Sequence, residues 1–176
     1  MAVNITSEQL HLYNFVKIVE DILAETGLAP EWLELELTEN TIINNVNVVN
    51  SINSLRAHGI KIALDDFGTG YSCLNYLRNI KLDRLKIDRS FVENIHVNRG
   101  DDIIIHAIIE MARSLNLEVL AEGVENNTQL KFLQEQKCGE IQGFYFSHPL
   151  TTDEMAKLMS DIPNFKKILS EKKIKV

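Results

Sequence analysis

The feature that most constrains this chain is a repeated alternation. A short apolar run ends in acids, and a longer segment with helically spaced apolar residues follows. Leu33-Glu34-Leu35-Glu36-Leu37 alternates strictly, as a strand with one buried face does. Residues 60–64, 82–87, 117–121 and 141–146 read as further strands. Between them, Leu12, Phe15, Val16, Val19, Ile22 and Leu23 share one helical face that Gly27 closes. Ile42, Ile43, Val46, Val49, Ile52 and Leu55 form a second stripe, and Ile104, Ile108, Met111, Ala112 and Leu115 a third. Short helices are expected over residues 71–80 and 128–136. Thr151-Thr152-Asp153-Glu154 has the spacing of a capping box that opens a last helix. Strands that alternate with helices pair in parallel through crossovers, so the class is α/β. A barrel and an open doubly wound sheet both satisfy the pattern.

The acids fall at the strand ends. Glu36-Leu37-Thr38-Glu39 ends one strand and Asp65-Asp66-Phe67-Gly68-Thr69-Gly70 the next. Lys86-Ile87-Asp88 and Ala121-Glu122-Gly123-Val124-Glu125 end two more, and Gln142-Gly143 lies in the last. Ligands of parallel sheets and barrels bind at the carboxyl ends of the strands, so these side chains are expected to converge on one mouth. Crowded carboxylates repel, and divalent cations relieve the repulsion. An all-oxygen set suits Mg²⁺, Mn²⁺ or Ca²⁺. Adjacent Asp65 and Asp66 suit a two-metal site of the kind that hydrolyses phosphate esters. Lys86 is placed to hold a phosphate oxygen or the attacking one. A single acid after a strand is more often a cap or loop residue; repetition at four strand ends favours the site. Glu34, Asp83 and Glu118 read as ordinary polar positions, and the five histidines show no ligand spacing.

A formal net charge of −7 argues against binding DNA, which needs a basic surface. Two cysteines without metal spacing, no apolar run of membrane length and no leader pattern point to a cytoplasmic protein. Residues 1–159 read as the barrel portion and 160–176 as a Lys-rich, helical tail facing solvent.

At these motifs the chain resembles the EAL family. Val3-Asn4-Ile5-Thr6, the Glu36 to Glu39 run, Asp65 to Ser72, Lys86-Ile87-Asp88-Arg89-Ser90-Phe91-Val92, Ala121 to Glu125 and Gln142-Gly143-Phe144 occur in family order and spacing. The resemblance implies a TIM-like barrel of the EAL type and cleavage of cyclic di-GMP to linear pGpG with two Mg²⁺ or Mn²⁺ ions, Ca²⁺ being inhibitory. It implies Asn4, Glu36 and Asp65 as ligands of one ion and Asp65, Asp66 and Glu122 of the other. Lys86 resembles the residue that orients the hydrolytic water, with Glu122 as an alternative general base and Asp66 beside them. Glu39 resembles the anchor of the loop after Asp66, with Thr38, Gly68 and Gly70 as loop support. Asp88, Glu125 and Gln142 match pocket positions. The loop and helix from Phe67 to Leu77 match a homodimer contact.

Thr6, Cys73 and Phe144 stand where the family usually has Ser, Ser and Tyr. The family's first two strands, with the glutamate of the Glu-Ala-Leu motif, have no counterpart. The expectation is therefore an incomplete barrel of about six parallel strands, inactive or weak alone, with room for a sensor or GGDEF-type domain in a longer parent chain. The alternative is a non-catalytic EAL-like module that binds cyclic di-GMP or a protein partner.

Overall fold

The structure, a computed structural model, describes residues 1–42, 46–70 and 80–161. Its centre is a six-stranded sheet of β1 (Ala2–Asn4), β2 (Glu34–Thr38), β3 (Lys61–Phe67), β4 (Arg84–Ile87), β5 (Glu118–Ala121) and β6 (Glu140–Ile141). The spatial order follows the chain, β1-β2-β3-β4-β5-β6, and every pairing is parallel. A doubly wound sheet reverses its strand order at a switch point. This one never reverses, which is the winding of a TIM-type barrel. The sheet is open, with β1 and β6 at its edges.

Period-two alternation divides the strands into an apolar and a charged face. Leu35, Leu37, Ile62, Leu64, Leu85, Ile87, Val119 and Ala121 are buried in one core cluster with the helices. Around the sheet lie α1 (Ser7–His11), α2 (Phe15–Thr26), α3 (Glu39–Ile42), α4 (Val46–Ala57), α5 (Arg89–Glu93), α6 (Arg99–Ser114), α7 (Asn127–Glu135) and α8 (Thr152–Ser160). Phe15, Val19 and Leu23 of α2, Val48, Ile52 and Leu55 of α4, and Ile105, Ile108, Ile109 and Ala112 of α6 enter the same core. Leu37 and Ile62 are fully buried, and truncating such a residue to Ala costs ~2–5 kcal/mol.

Helix ends follow local chemistry. Gly27, with φ 69°, closes α2. Asn126 and Gln129 form a reciprocal capping box on α7, and Thr151 and Glu154 form one on α8.

Several sequence-based bounds differ from the structure. Of the stretch at residues 82–87, the regular strand is Arg84–Ile87; Asp83 before it bonds through its backbone to Ile62 O and the Glu118 N–H, and its carboxylate accepts from Arg56 and from the Ile62 N–H. The last strand is Glu140–Ile141 rather than residues 141–146. Beyond it the chain folds back, Tyr145 N–H donating to Val124 O and Phe146 N–H to Gly143 O. Of the stripe from Ile42 to Leu55, Ile42 ends α3 and the part from Val46 to Leu55 lies in α4, while Ile43 falls outside the described residues. Asp88 caps an additional helix, α5. The helix expected over residues 71–80 and the Lys-rich tail lie outside the described residues, except at their margins. No helix among the described residues is long and apolar enough to cross a membrane.

Candidate functional site

The charged faces of four strands meet at the carboxyl end of the sheet. On β2, Glu36 alternates with Leu35 and Leu37, so the leucines face the helices and the glutamate faces the concave side. Asn4 of β1 is its direct register partner. On β4, Lys86 alternates with Leu85 and Ile87 in the same way. Its ammonium donates to Glu36 Oε1 at 2.9 Å, Asp65 Oδ2 at 3.1 Å and Glu122 Oε1 at 2.8 Å. Thus side chains from β2, β3, β4 and the end of β5 share one point.

Adjacent Asp65 and Asp66 reach this mouth together because β3 is not regular there. In a plain strand, neighbours point to opposite faces. The β3–β4 register shifts between Leu64 and Phe67, and Asp66 adopts φ 54°. A bulge with a left-handed residue re-aims a side chain. Aspartate is among the few non-glycine residues that tolerate that backbone. Asp66 comes to lie against Asp88 as well as beside Asp65.

Asp88 also caps α5, accepting from the Ser90 N–H at 3.0 Å. Burial, and then the charges of Asp65 and Asp88, push the Asp66 carboxyl above its usual range. Burial raises Glu122 as well, with Lys86 opposing and Asp65 and Glu36 adding to the rise. For Lys86, burial works downward, but its hydrogen bonds to Glu122, Glu36 and Asp65 hold the ammonium charged well above an ordinary lysine.

The loop after Asp66 is pinned from β2. Glu39 is buried, and its Oε1 accepts the Gly68 N–H at 2.7 Å. A Cβ on Gly70 would stand 3.2 Å from Glu39 Oε2. Thr38 and Thr41 hydroxyls lie 3.1 Å apart. The segment after β5 is held by Gln129, whose Oε1 accepts the N–H groups of Glu125 and Asn126. Glu125 pairs with Arg89 at 2.8 Å on the rim. Arg89 packs over Gly123, where an added Cβ would stand 2.3 Å from Arg89 Cγ, and Gly123 has φ 73°. Gln142 bonds through its backbone to Ala121 and Val124 at the same rim.

The structure therefore gathers Asn4, Glu36, Asp65, Asp66, Lys86, Asp88 and Glu122 at one mouth. Glu125 and Gln142 lie on its rim; Glu39 holds the Gly68 N–H with Gly70 beside it, and Thr38 bonds Thr41. The expected dimer segment from Phe67 to Leu77 is described only as far as Gly70.

Sequence reasoning passed over Arg84. It lies two residues before Lys86 and binds Glu34 at 3.1 Å, Glu118 at 2.7 Å and Glu140 at 2.9 Å. Glu34 and Glu118, read as ordinary polar positions, are thus members of an ion cluster. The signal was present in strand parity: Glu34 with Glu36, Arg84 with Lys86, and Glu118 with Glu122 share faces.

Among the described residues, no three His, Cys, Asp or Glu side chains are grouped to hold one ion as they stand. The Lys86 ammonium is the common counter-ion of three of the carboxylates. The donor set nonetheless fits hard divalent cations. It is all oxygen, and Glu36, Asp65, Asp66, Asp88 and Glu122 face a single ammonium, which leaves net negative charge at the mouth.

A family model described as EAL domain matches residues 1–149. The cyclic di-GMP phosphodiesterase NbdA of Pseudomonas aeruginosa is 45% identical over 151 residues, which are 85% of this chain and 19% of that protein. Among solved structures, the PaMucR phosphodiesterase in complex with c-di-GMP superposes with a TM-score of 0.83 at 37% identity, covering 88% of this chain and 63% of that one. BlrP1 of Klebsiella pneumoniae, in a manganese and cyclic di-GMP complex, gives a TM-score of 0.78 at 33% identity, covering 84% and 38%. The chain spans about a fifth of the length of the curated relatives it matches.

Proposed function

The chain belongs to the EAL domain family, and on that premise we propose that its mouth serves a cyclic di-GMP-specific phosphodiesterase that yields linear pGpG with two divalent ions. The observation that carries the reading is the convergence of Glu36, Asp65 and Glu122 on Lys86, with Asp66 turned to join them.

Asn4, Glu36 and Asp65 would hold one Mg²⁺ or Mn²⁺ ion, and Asp65, Asp66 and Glu122 the other. When bound, such ions polarise a phosphoryl oxygen and acidify water. The remaining work falls to the chain's own groups. Lys86, fixed by three carboxylates, orients the attacking water with its ammonium protons. Glu122, 2.8 Å from that ammonium, is placed to take the water's proton. The water oxygen bonds to phosphorus as the bond to the ribose 3′ oxygen breaks, and that oxygen leaves with a proton. Asp88, Glu125 and Gln142 on the rim bound the space for the nucleotide.

Among the described residues β6 and β1 do not pair to close the sheet around the mouth, so turnover by this chain alone is expected to be slow. Titration with Mn²⁺ and then cyclic di-GMP, followed by chromatography for pGpG, tests the reading. Absence of both metal and nucleotide binding would sink it.

A non-catalytic module that binds cyclic di-GMP is favoured by one feature, the engagement of the carboxylates by Lys86 itself. Tight nucleotide binding in Ca²⁺ with no product in either Mg²⁺ or Mn²⁺ would select it.

A further inference from the structure

Two cations stand two residues apart on β4, and each bridges strands that are not its neighbours. Lys86 reaches Glu36 of β2, and Arg84, one layer deeper, reaches Glu34 of the same strand. Arg84 also spans to Glu118 at the start of β5 and to Glu140 of β6. With β2 and β6 each two places from β4, these bonds are chords across the concave face. Their length depends on how strongly the sheet curves.

Strand parity couples the two layers. Glu34 and Glu36 lie on one face of β2, Arg84 and Lys86 on one face of β4, and Glu118 and Glu122 on one side of the β5 segment. A β2–β5 separation set at Arg84 is therefore carried along about 7 Å of β2 and β4, and about 13 Å of the β5 segment, to the carboxylates around Lys86.

Stability alone is a poor account of this cluster. Arg84 Nε is buried without an acceptor, and an unsatisfied donor is a cost. Buried ion clusters are frequently no more stable than apolar packing of the same volume. The sheet is open at β1 and β6, so ring closure does not impose its curvature.

We propose that Arg84 is a positioning residue: it holds β2, β5 and β6 at the spacing at which Glu36, Asp65 and Glu122 converge on one cation. The proposal rests on the reading of the mouth as a divalent-cation site.

The test is Mn²⁺ titration of the 176-residue chain, read as free Mn²⁺ by electron paramagnetic resonance, with circular dichroism as the check on folding. The wild type is expected to bind Mn²⁺, and folded Arg84→Met to bind it at least tenfold more weakly. Arg84→Lys, which keeps a cation at the centre of the three glutamates, is expected to recover most of the affinity. Glu140→Gln, which removes one of the two half-exposed arms, should weaken binding about threefold and serves if Arg84→Met does not fold. A folded Arg84→Met, or failing that Glu140→Gln, with affinity unchanged from wild type overturns the positioning role and leaves the metal reading intact. A wild type that binds no Mn²⁺ removes the metal reading and this proposal with it.

Discussion

Glu39 Oε1 accepts the backbone N–H of Gly68 at 2.7 Å, while the buried Glu39 Oε2 has no hydrogen-bond partner among the described residues. One carboxylate thus ties the start of α3 to the loop that follows Asp66. Glu39→Ala removes the acceptor and leaves the Gly68 N–H unpaired. It is expected to cost ~1–3 kcal/mol of stability in a urea titration. An unchanged midpoint would show that the loop does not depend on this bond.

Lys86 is the shared counter-ion of three carboxylates inside the mouth. Lys86→Met leaves them unpaired, and breaking a buried ion cluster from one side costs ~3–5 kcal/mol. Thermal melts in EDTA should show the loss. Added Mn²⁺ should recover part of it, because the ion then supplies the missing positive charge.

Asp66 sits in a left-handed conformation between Asp65 and Asp88. Asparagine tolerates that backbone and carries no charge, so Asp66→Asn relieves repulsion without strain. A gain of ~1 kcal/mol in metal-free stability is expected, together with loss of Mn²⁺ affinity. A drop in the EDTA melting temperature would contradict the repulsion argument.

Two glycines rank differently under the same substitution. A Cβ on Gly143 would stand 2.1 Å from the Val124 carbonyl oxygen, and one on Gly123 would stand 2.3 Å from the Arg89 side chain. Arginine can swing away, whereas backbone cannot. Gly143→Ala is therefore expected to destabilise more than Gly123→Ala, which retains a left-handed penalty of ~1 kcal/mol. Adding Arg89→Ala to Gly123→Ala should remove the clash and leave that penalty. Equal midpoints for the two single variants would count against this ranking.

Burial pushes the Cys138 thiol up to about 11. The thiolate is the nucleophile, and at pH 8 only about one thiol in a thousand is ionised at any moment, against about a quarter in an unfolded chain. In a Cys73→Ser background, modification by Ellman's reagent at pH 8 should accelerate at least a hundredfold in denaturant. Its native rate should rise with pH up to about 11.

The strand ends were legible because Glu36, Asp65 and Glu122 each close an apolar run, a local pattern. The way Asp66 joins them was not, because it depends on a register shift against β4 that no local pattern records. Arg84 was invisible for a related reason. Its partners Glu34, Glu118 and Glu140 lie 50, 34 and 56 positions away in sequence, and only strand order brings them together. The last strand was overestimated because Phe144, Tyr145 and Phe146 have strand propensity, and the fold-back at Gly143 overrides it.

The left-handed turn at position 66 has an evolutionary corollary. Three residues suit that backbone, Asp, Asn and Gly, and only one of them carries a charge. In the genetic code a single base transition converts an Asp codon to either of the others. A lineage under relaxed selection for chemistry therefore has two one-step exits that silence the mouth while sparing the scaffold. A saturation library at this codon should sort into one functional residue, two that fold but are silent, and a remainder that folds poorly.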